Sequence, residues 1–327
     1  EYAGVSNWTL PEGDGEKQVE CRYRDFAGNI STTSVTSAIL DQTPPSCYVA
    51  INNGVSFVNN ELVTIEIIAS DDYELYQMRF HNEQEAWTDW ETHATSKSWM
   101  LTSGEGSKTV STEVQDRAGN DQECSVTVGL DQSAPYGSLL IAGGNEFTSS
   151  ALTQLTLDVQ DNSSGVEQVC IVNGAGPCNN WLNYQTTVDW NLNLQNEGGT
   201  QQVCAWFRDR ANNISEPACD LITLDLTAPS GKIVIDEDAP FTIFPTVTLT
   251  VQVSDLVSGV CGVQYRNQGG DWGTMQSYQP LVSWNLPSAL GVKTVEARFV
   301  DCAGNESLLT DSIELRMGVF LPLLFRP

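Results

Sequence analysis

One short polar segment occurs four times in this chain. It reads RDFAGN at 24–29, QDRAGN at 115–120, RDRANN at 208–213 and VDCAGN at 300–305. The closing asparagines, Asn29, Asn120, Asn213 and Asn305, lie 91, 93 and 92 residues apart. A second marker keeps the same step. Trp8, Trp99, Trp190 and Trp284 each stand two residues before a leucine, at spacings of 91, 91 and 94. A third marker is LDQTPPS at 40–46, LDQSAPY at 130–136 and LDLTAPS at 224–230. A period of about 92 residues is the size of one small domain and far longer than a solenoid or propeller repeat. Proline in each third marker cannot continue a strand ladder, so the domain boundaries fall there. The chain therefore reads as a leading partial repeat over 1–44, whole repeats over 45–132, 135–226 and 229–316, and a tail over 317–327.

Within each repeat the hydrophobic period is two. VTIEIIASD, QLTLDVQD and TLTVQVSD place Ile65, Ile67 and Ala69, then Leu155, Leu157 and Val159, then Leu249, Val251 and Val253 on one face. A similar alternation leads into every Asp-x-Ala motif, from Val19-x-Cys21-x-Tyr23 to Val295-x-Ala297-x-Phe299. Alternation of this kind marks half-buried strands. Short strands at regular spacing with Gly, Asn and Asp turns predict an all-β fold of tandem sandwiches, each of about seven strands.

Charge narrows the function. With 42 acidic and 15 basic side chains the net charge is −27. Nucleic-acid binding and polybasic membrane attachment both need clustered Lys and Arg, which such a chain lacks. Abundant carboxylates can instead supply oxygen ligands to hard cations. Nine cysteines against four methionines point to an oxidising compartment. The sequence has no C-x-x-C pair, only two histidines, His81 and His93, and no run of 18 apolar residues. Zinc and a transmembrane helix are therefore not expected. Phosphate-loop and nucleophile-elbow motifs are absent as well. The expectation is a chain that is not an enzyme, with both histidines exposed on strands or loops.

The order Thr-Ala-Pro, Asp-x-x-Ser-Gly-Val (DNSSGV at 161–166, DLVSGV at 255–260), Trp-x-Leu and Asp-x-Ala-Gly-Asn resembles the bacterial immunoglobulin-like repeats of large secreted or cell-surface proteins. The resemblance covers the chain up to about residue 316. Repeat 45–132 departs from it, because DDYELYQM at 71–78 lacks Ser-Gly-Val. It implies immunoglobulin-like sandwiches in a rod, outside a cell. The roles it allows are a stalk, an adhesin, or a filament or surface-layer subunit. Alternatives are a non-catalytic C-terminal appendage of a secreted hydrolase, or a carbohydrate-binding module. The tail MGVFLPLLFRP resembles the Leu-Pro-Leu C-termini of some secreted proteins of filamentous gliding bacteria, which implies a secretion or anchoring signal. A last edge strand, or a strand added to a neighbouring subunit, are the other readings of it.

In such a fold residues 1–44 hold only the closing strands of a repeat. Cys21 would face the core position where immunoglobulin-type sandwiches carry a disulfide. Upstream repeats, or a neighbouring copy of the chain, would complete this half. Cys21 then has no partner within the chain. The other eight cysteines suggest Cys204–Cys219 across a hairpin and Cys170–Cys178 across a second. They also suggest Cys261–Cys302 and Cys47–Cys124, each pair at one pole of a sandwich.

The same topology brings aspartates together. Each linker aspartate, Asp41, Asp131 or Asp225, is followed 30 residues later by Asp71, Asp161 or Asp255. The repeat motif adds Asp116, Asp209 and Asp301. In an immunoglobulin-type sandwich the strands before these aspartates end at the pole where the domain is entered. Three carboxylates there repel unless neutralised, and calcium is the suitable counter-ion. The expected sites are Asp41/Asp71/Asp116, Asp131/Asp161/Asp209 and Asp225/Asp255/Asp301. The competing reading is local, since turn aspartates often bond their own backbone. Arg316 stands where a fourth linker aspartate would, after the last repeat.

The repeated Trp of Trp-x-Leu reads as core. Trp87, Trp90, Trp181 and Trp272 fall in less regular places, as core packing or as an aromatic face for surface glycans or proteins. Glycosylation sequons occur at Asn7, Asn29, Asn162, Asn213 and Asn305.

Overall fold

The computed structural model describes residues 4–318. Most of the apolar tail therefore lies outside the described residues, and with it the readings offered for its role. Among the described residues there is no α-helix, only 3-10 turns of three residues, and the fold is all-β. The chain forms two compact units. One covers the chain up to Pro135 together with the turns 161–165 and 209–213, and the other covers the remainder.

The first unit opens with a hairpin, β1 (Gly15–Cys21) and β2 (Ser34–Leu40), paired from Gly15↔Leu40 to Cys21↔Ser34. A complete sandwich follows. Its strands are β3 (Ser46–Ile51), β4 (Phe57–Val58), β5 (Leu62–Ser70), β6 (Leu75–Asn82), β7 (Glu91–Thr92), β8 (Ser96–Met100), β9 (Gly106–Asp116) and β10 (Asp121–Leu130). One sheet has the order β3-β5-β8 and the other β4-β10-β9-β6-β7. All pairings are antiparallel except the two-residue parallel bridge of β4 to β10.

The second unit holds the sheets of two more repeats. In the first, β11 (Tyr136–Ile141), β13 (Leu152–Gln160) and β16 (Thr187–Asn191) form one sheet. Facing it are β12 (Phe147–Thr148), β14 (Val166–Asn173), β15 (Trp181–Asn183), β17 (Thr200–Asp209) and β18 (Ala218–Leu224), in the order β12-β18-β17-β14-β15. In the last repeat β19 (Ser230–Ile235), β21 (Thr246–Ser254) and β23 (Leu281–Asn285) face β20 (Phe241–Thr242), β22 (Val260–Asn267), β24 (Gly291–Asp301) and β25 (Glu306–Leu315), ordered β20-β25-β24-β22. Each whole repeat is thus an immunoglobulin-like sandwich on one strand plan, except that the last lacks the edge strand equivalent to β7 and β15 and keeps only the isolated bridge Val263↔Gln276 there.

Period-two alternation builds the three cores. Val63, Ile65 and Ile67 of β5 point inward against Phe80 of β6 and Val110 and Val114 of β9. Leu155 and Leu157 meet Val203, Ala205 and Phe207 in the next sandwich, and Leu249 and Val251 meet Val295, Ala297 and Phe299 in the last. Each Val, Leu, Ile or Phe among them contributes roughly 1.5–3 kcal/mol when fully buried. The repeated Trp closes one side of each core by a device that links the two sheets. Its Nε1–H donates to an asparagine on the opposite sheet: Trp99 to Asn82 at 2.8 Å, Trp190 to Asn173 at 2.7 Å and Trp284 to Asn267 at 3.0 Å. The same asparagines return Nδ2–H to the carbonyl one residue past the Trp, at Met100, Asn191 and Asn285. Both ends of each Trp–Asn pair are therefore satisfied.

The leading hairpin has no such partner sheet among the described residues. Val110, Thr112 and Val114 are fully buried in β9, as are Val203, Ala205 and Phe207 in β17. The matching Val19, Cys21 and Tyr23 are half-buried, exposed and exposed, and Trp8 is 72% exposed.

Candidate metal centres at the leading poles

Each expected aspartate set comes from three structural positions. The linker aspartate follows the leucine that ends a last strand, and its main chain continues the β4-type parallel bridge. Asp131 N–H donates to Val58 O at 2.9 Å and Asp225 N–H to Thr148 O at 2.9 Å. The second aspartate follows the second long strand of the next sandwich. Its Oδ1 accepts the amides of its own turn. For Asp71 the donor is Tyr73 at 2.9 Å. For Asp161 the donors are Ser163 at 3.2 Å and Gly165 at 2.6 Å, and for Asp255 they are Val257, Ser258 and Gly259 at 3.0, 2.9 and 3.0 Å. The Ser-Gly of the motif allows that wrap, with Gly165 and Gly259 at φ 82° and 76°. The third aspartate ends β9, β17 or β24.

These three positions meet. One carboxylate oxygen from each of Asp41, Asp71 and Asp116 lies within 4.8 Å of the other two, and the same holds for Asp131/Asp161/Asp209 and Asp225/Asp255/Asp301. The first two sets belong to the first unit and the third to the second unit. Asp116, Asp131, Asp209, Asp225 and Asp301 are buried, while Asp41, Asp71, Asp161 and Asp255 are half-buried. Among the described residues, none of the nine forms an ion pair with Lys, Arg or His.

The local-turn reading holds for one oxygen of each second aspartate. It does not account for the other. The Oδ2 atoms of Asp71, Asp161 and Asp255 accept no hydrogen bond from the described residues. The linker aspartates differ. Asp131 Oδ2 accepts Ser164 N–H at 2.9 Å and Asp225 Oδ2 accepts Ser258 N–H at 3.1 Å. Asp41 has no such donor, because the first whole repeat lacks Ser-Gly, so its set is the most open.

The electrostatics are those of crowded like charges. Loss of solvent pushes the Asp41 carboxyl above its ordinary value, and the charges of Asp116, Asp71 and Asp14 add to the shift. Burial likewise raises Asp209 despite hydrogen bonds from Asn213, with Asp131 and Asp161 adding to it. At Asp225 burial also acts upward, but hydrogen bonds from Ser258 and Thr227 prevail and carry it below the ordinary value. Three oxygen donors, one side unspent and no ion pair among the described residues, suit a hard cation such as calcium. Arg316 keeps the main-chain bond of a linker residue, donating to Thr242 O at 2.9 Å. Its side chain pairs instead with Glu314 and lies 4.4 Å over the Phe241 ring.

A fourth side chain belongs to each site. The left-handed residues of the motif turn are Gly28, Gly119, Asn212 and Gly304, one position before the closing asparagine. The asparagine reaches sideways. Asn213 N–H and Nδ2–H donate to the two oxygens of Asp209 at 2.8 and 2.7 Å, and Nδ2–H also donates to Asp131 O at 2.8 Å. Because those amide hydrogens are spent, the sequons at Asn213 and Asn305 carry no free acceptor nitrogen in the folded chain. Recurrence of Asn at a position that does not need a positive φ was the available signal.

Four disulfides occur, Cys47–Cys124, Cys170–Cys178, Cys204–Cys219 and Cys261–Cys302, with Cα–Cα distances of 5.8, 5.8, 4.1 and 5.0 Å. Cys21 is exposed and outside these bridges. Each half-buried tryptophan outside Trp-x-Leu carries a guanidinium over its ring. Arg79 lies 4.9 Å from Trp87 and 4.4 Å from Trp90, Arg208 lies 4.6 Å from Trp181, and Arg266 lies 4.2 Å from Trp272. Guanidinium stacking of this kind occupies a ring face that a sugar would need. The histidines are not exposed, contrary to expectation. His81 packs edge-on to Trp87 with centroids 4.2 Å apart, and burial lowers the pKa of His93.

No known family model matches the chain, and no curated protein matches it. Several solved structures are similar in architecture. The fibronectin(III)-like modules of CbhA from Clostridium thermocellum are 13% identical, covering 54% of this chain and 94% of that one, with a TM-score of 0.38. A chain solved in a structural study of a 1.5-MDa bacterial ice-binding adhesin is 15% identical, covering 84% of this chain and 98% of that one, with a TM-score of 0.40. The FN1–FN3 domains of chicken CNTN1 are 12% identical, covering 84% and 99%, with a TM-score of 0.36. These likenesses carry no ligand and no role to this chain.

Proposed function

We propose that this chain is a structural or adhesive segment of an extracellular protein, built of immunoglobulin-like repeats whose linkers are fixed by calcium. The observation that carries the proposal is the recurrence of one arrangement. Three times, three aspartates from separate strands meet within 4.8 Å, with no basic partner among the described residues. Repulsion of that kind would destabilise a fold that gained nothing from it. Calcium takes six to eight oxygens, and the linker aspartate would tie each Ser/Thr-x-Pro segment to the sandwich that follows. Four disulfides favour an oxidising, extracellular setting. A spacer or adhesive segment needs repeats of defined register more than it needs a catalytic cleft. The leading hairpin would be completed by the opening strands of a further repeat, whose counterparts cover the same positions in the other sandwiches.

Thermal melting of the chain in calcium and in chelator tests the reading. Calcium at about a hundred times its dissociation constant adds about 2.7 kcal/mol per site. Melting curves that coincide in both buffers would remove calcium from the account.

A further inference from the structure

We infer that Asn120, Asn213 and Asn305 are the positioning residues of the three centres, each a clasp that aims a linker aspartate at the cation. The inference rests on the calcium reading for its metal, and on hydrogen-bond geometry for everything else.

A linker aspartate has no regular strand on its C-terminal side to hold it. In Asp131 and Asp225 the main chain is instead suspended from two points. Asp131 N–H is tied to Val58 O, and Asp131 O accepts Asn213 Nδ2–H at 2.8 Å. Asp225 N–H is tied to Thr148 O, and Asp225 O accepts Asn305 Nδ2–H at 2.9 Å. Asp41 O accepts Asn120 Nδ2–H at 3.2 Å. Fixing N–H and C=O of one residue fixes its Cα, and so the direction in which its carboxylate leaves the chain.

The same amide group also holds the opposite ligand. Asn120, Asn213 and Asn305 donate Nδ2–H to Oδ2 of Asp116, Asp209 and Asp301 at 2.8, 2.7 and 2.8 Å. One NH2 group therefore sets the distance between two of the three aspartates in each set. A primary amide suits this position because it offers two donors and sits beside carboxylates without adding charge. Aspartate would add a fourth negative charge, and serine would offer a single hydrogen. The leading hairpin supplies an internal contrast. Asn29 makes the local bond to Asp25 Oδ2 at 2.7 Å, but bonds no linker carbonyl among the described residues.

The test uses the 1–327 chain with single substitutions Asn213→Ala, Asn305→Ala and Asn29→Ala. Calcium is titrated calorimetrically, and amide exchange of 131–133 and 225–227 is followed in chelator. In Asn213→Ala and Asn305→Ala one site is expected to weaken about tenfold, which equals about 1.4 kcal/mol. The matching linker amides should exchange faster while core amides keep their protection. Asn29→Ala should leave every site unchanged. Wild-type affinity in the clasp variants would overturn the positioning role. If the wild type binds no calcium, the metal reading fails by itself, and linker exchange judges the clasp. Exchange that is equal in wild type and variants would overturn it.

Discussion

Replacing Asp161 by asparagine should stabilise the metal-free protein and remove most of the stability that calcium adds at its site. Asp161 Oδ1 accepts two turn amides, from Ser163 and Gly165, and an asparagine Oδ1 can accept both. Oδ2 accepts nothing, and it is the atom the NH2 group would replace. That group would then face the carboxylates of Asp131 and Asp209, which share its 4.8 Å cluster. One like-charge pair at that separation costs about 1 kcal/mol in water and about 3.5 kcal/mol at an effective dielectric constant near 20. Asp161 is half-buried, so relieving its two pairs should contribute about 1–3 kcal/mol after solvent screening. For a domain of this size each kcal/mol moves the melting temperature by about 4–8 °C. In chelator Asp161→Asn should therefore melt above the wild type. In calcium at about a hundred times its dissociation constant that advantage should shrink or invert, because the variant lacks one ligand and forgoes most of the roughly 2.7 kcal/mol that site supplies. Calorimetric scans of both proteins in both buffers read all four values. A variant that melts below the wild type in chelator would refute the repulsion, and one with an undiminished calcium response would refute the ligand role.

Other outcomes follow from the same geometry. The native carboxyls of Asp41 and Asp209 are raised by burial and neighbouring charge. A raised native carboxyl favours the protonated fold, so in chelator these two groups should add stability as pH falls from neutral through their native values. Calcium needs the ionised form, so the melting increment it provides should shrink over the same range. An increment independent of pH from 7 down to 4 would contradict the assignment. In the turn after β19, Asp236, Glu237 and Asp238 all have positive φ, at 46°, 56° and 67°. Glu237→Gly should relieve that conformation and raise stability by about 0.5–1 kcal/mol, read from denaturant midpoints, with no change in calcium affinity. Asn267→Ala leaves the half-buried Trp284 Nε1–H without its acceptor and should cost about 1–3 kcal/mol, with the Trp fluorescence of that repeat shifting to the red on solvent entry.

What the sequence made legible was whatever depends on period and spacing. Alternation of Ile65, Ile67 and Ala69 or of Leu249, Val251 and Val253 implies one buried sheet face, and repeat length then limits the architecture. Aspartate placement needed only the strand order, because Asp161 follows β13 and Asp209 ends β17 at the same pole. Interactions that run sideways were not legible, because the recurrence of a residue does not name the distant segment it reaches. The Asn213 bond to Asp131 O spans 82 residues and looks, in sequence, like ordinary turn chemistry. Stacking of Arg79 on Trp87 and Trp90 was hidden for the same reason, since nothing local pairs a strand arginine with a loop tryptophan. The left-handed run at 236–238 was hidden because the residues there are acidic rather than Gly or Asn, the usual signals of positive φ. Its counterparts, Asn52-Asn53-Gly54 and Ala142-Gly143-Gly144, carry those signals openly.

The most direct measurement is a calorimetric titration of calcium into chelator-stripped protein, run beside the triple variant Asp71→Asn, Asp161→Asn, Asp255→Asn. The expected result is saturable binding of up to three ions by the wild type, and none at the same concentrations by the triple variant. Absence of binding to the wild type, or equal binding to both proteins, would contradict the central claim that these aspartate triplets hold the repeats through a cation.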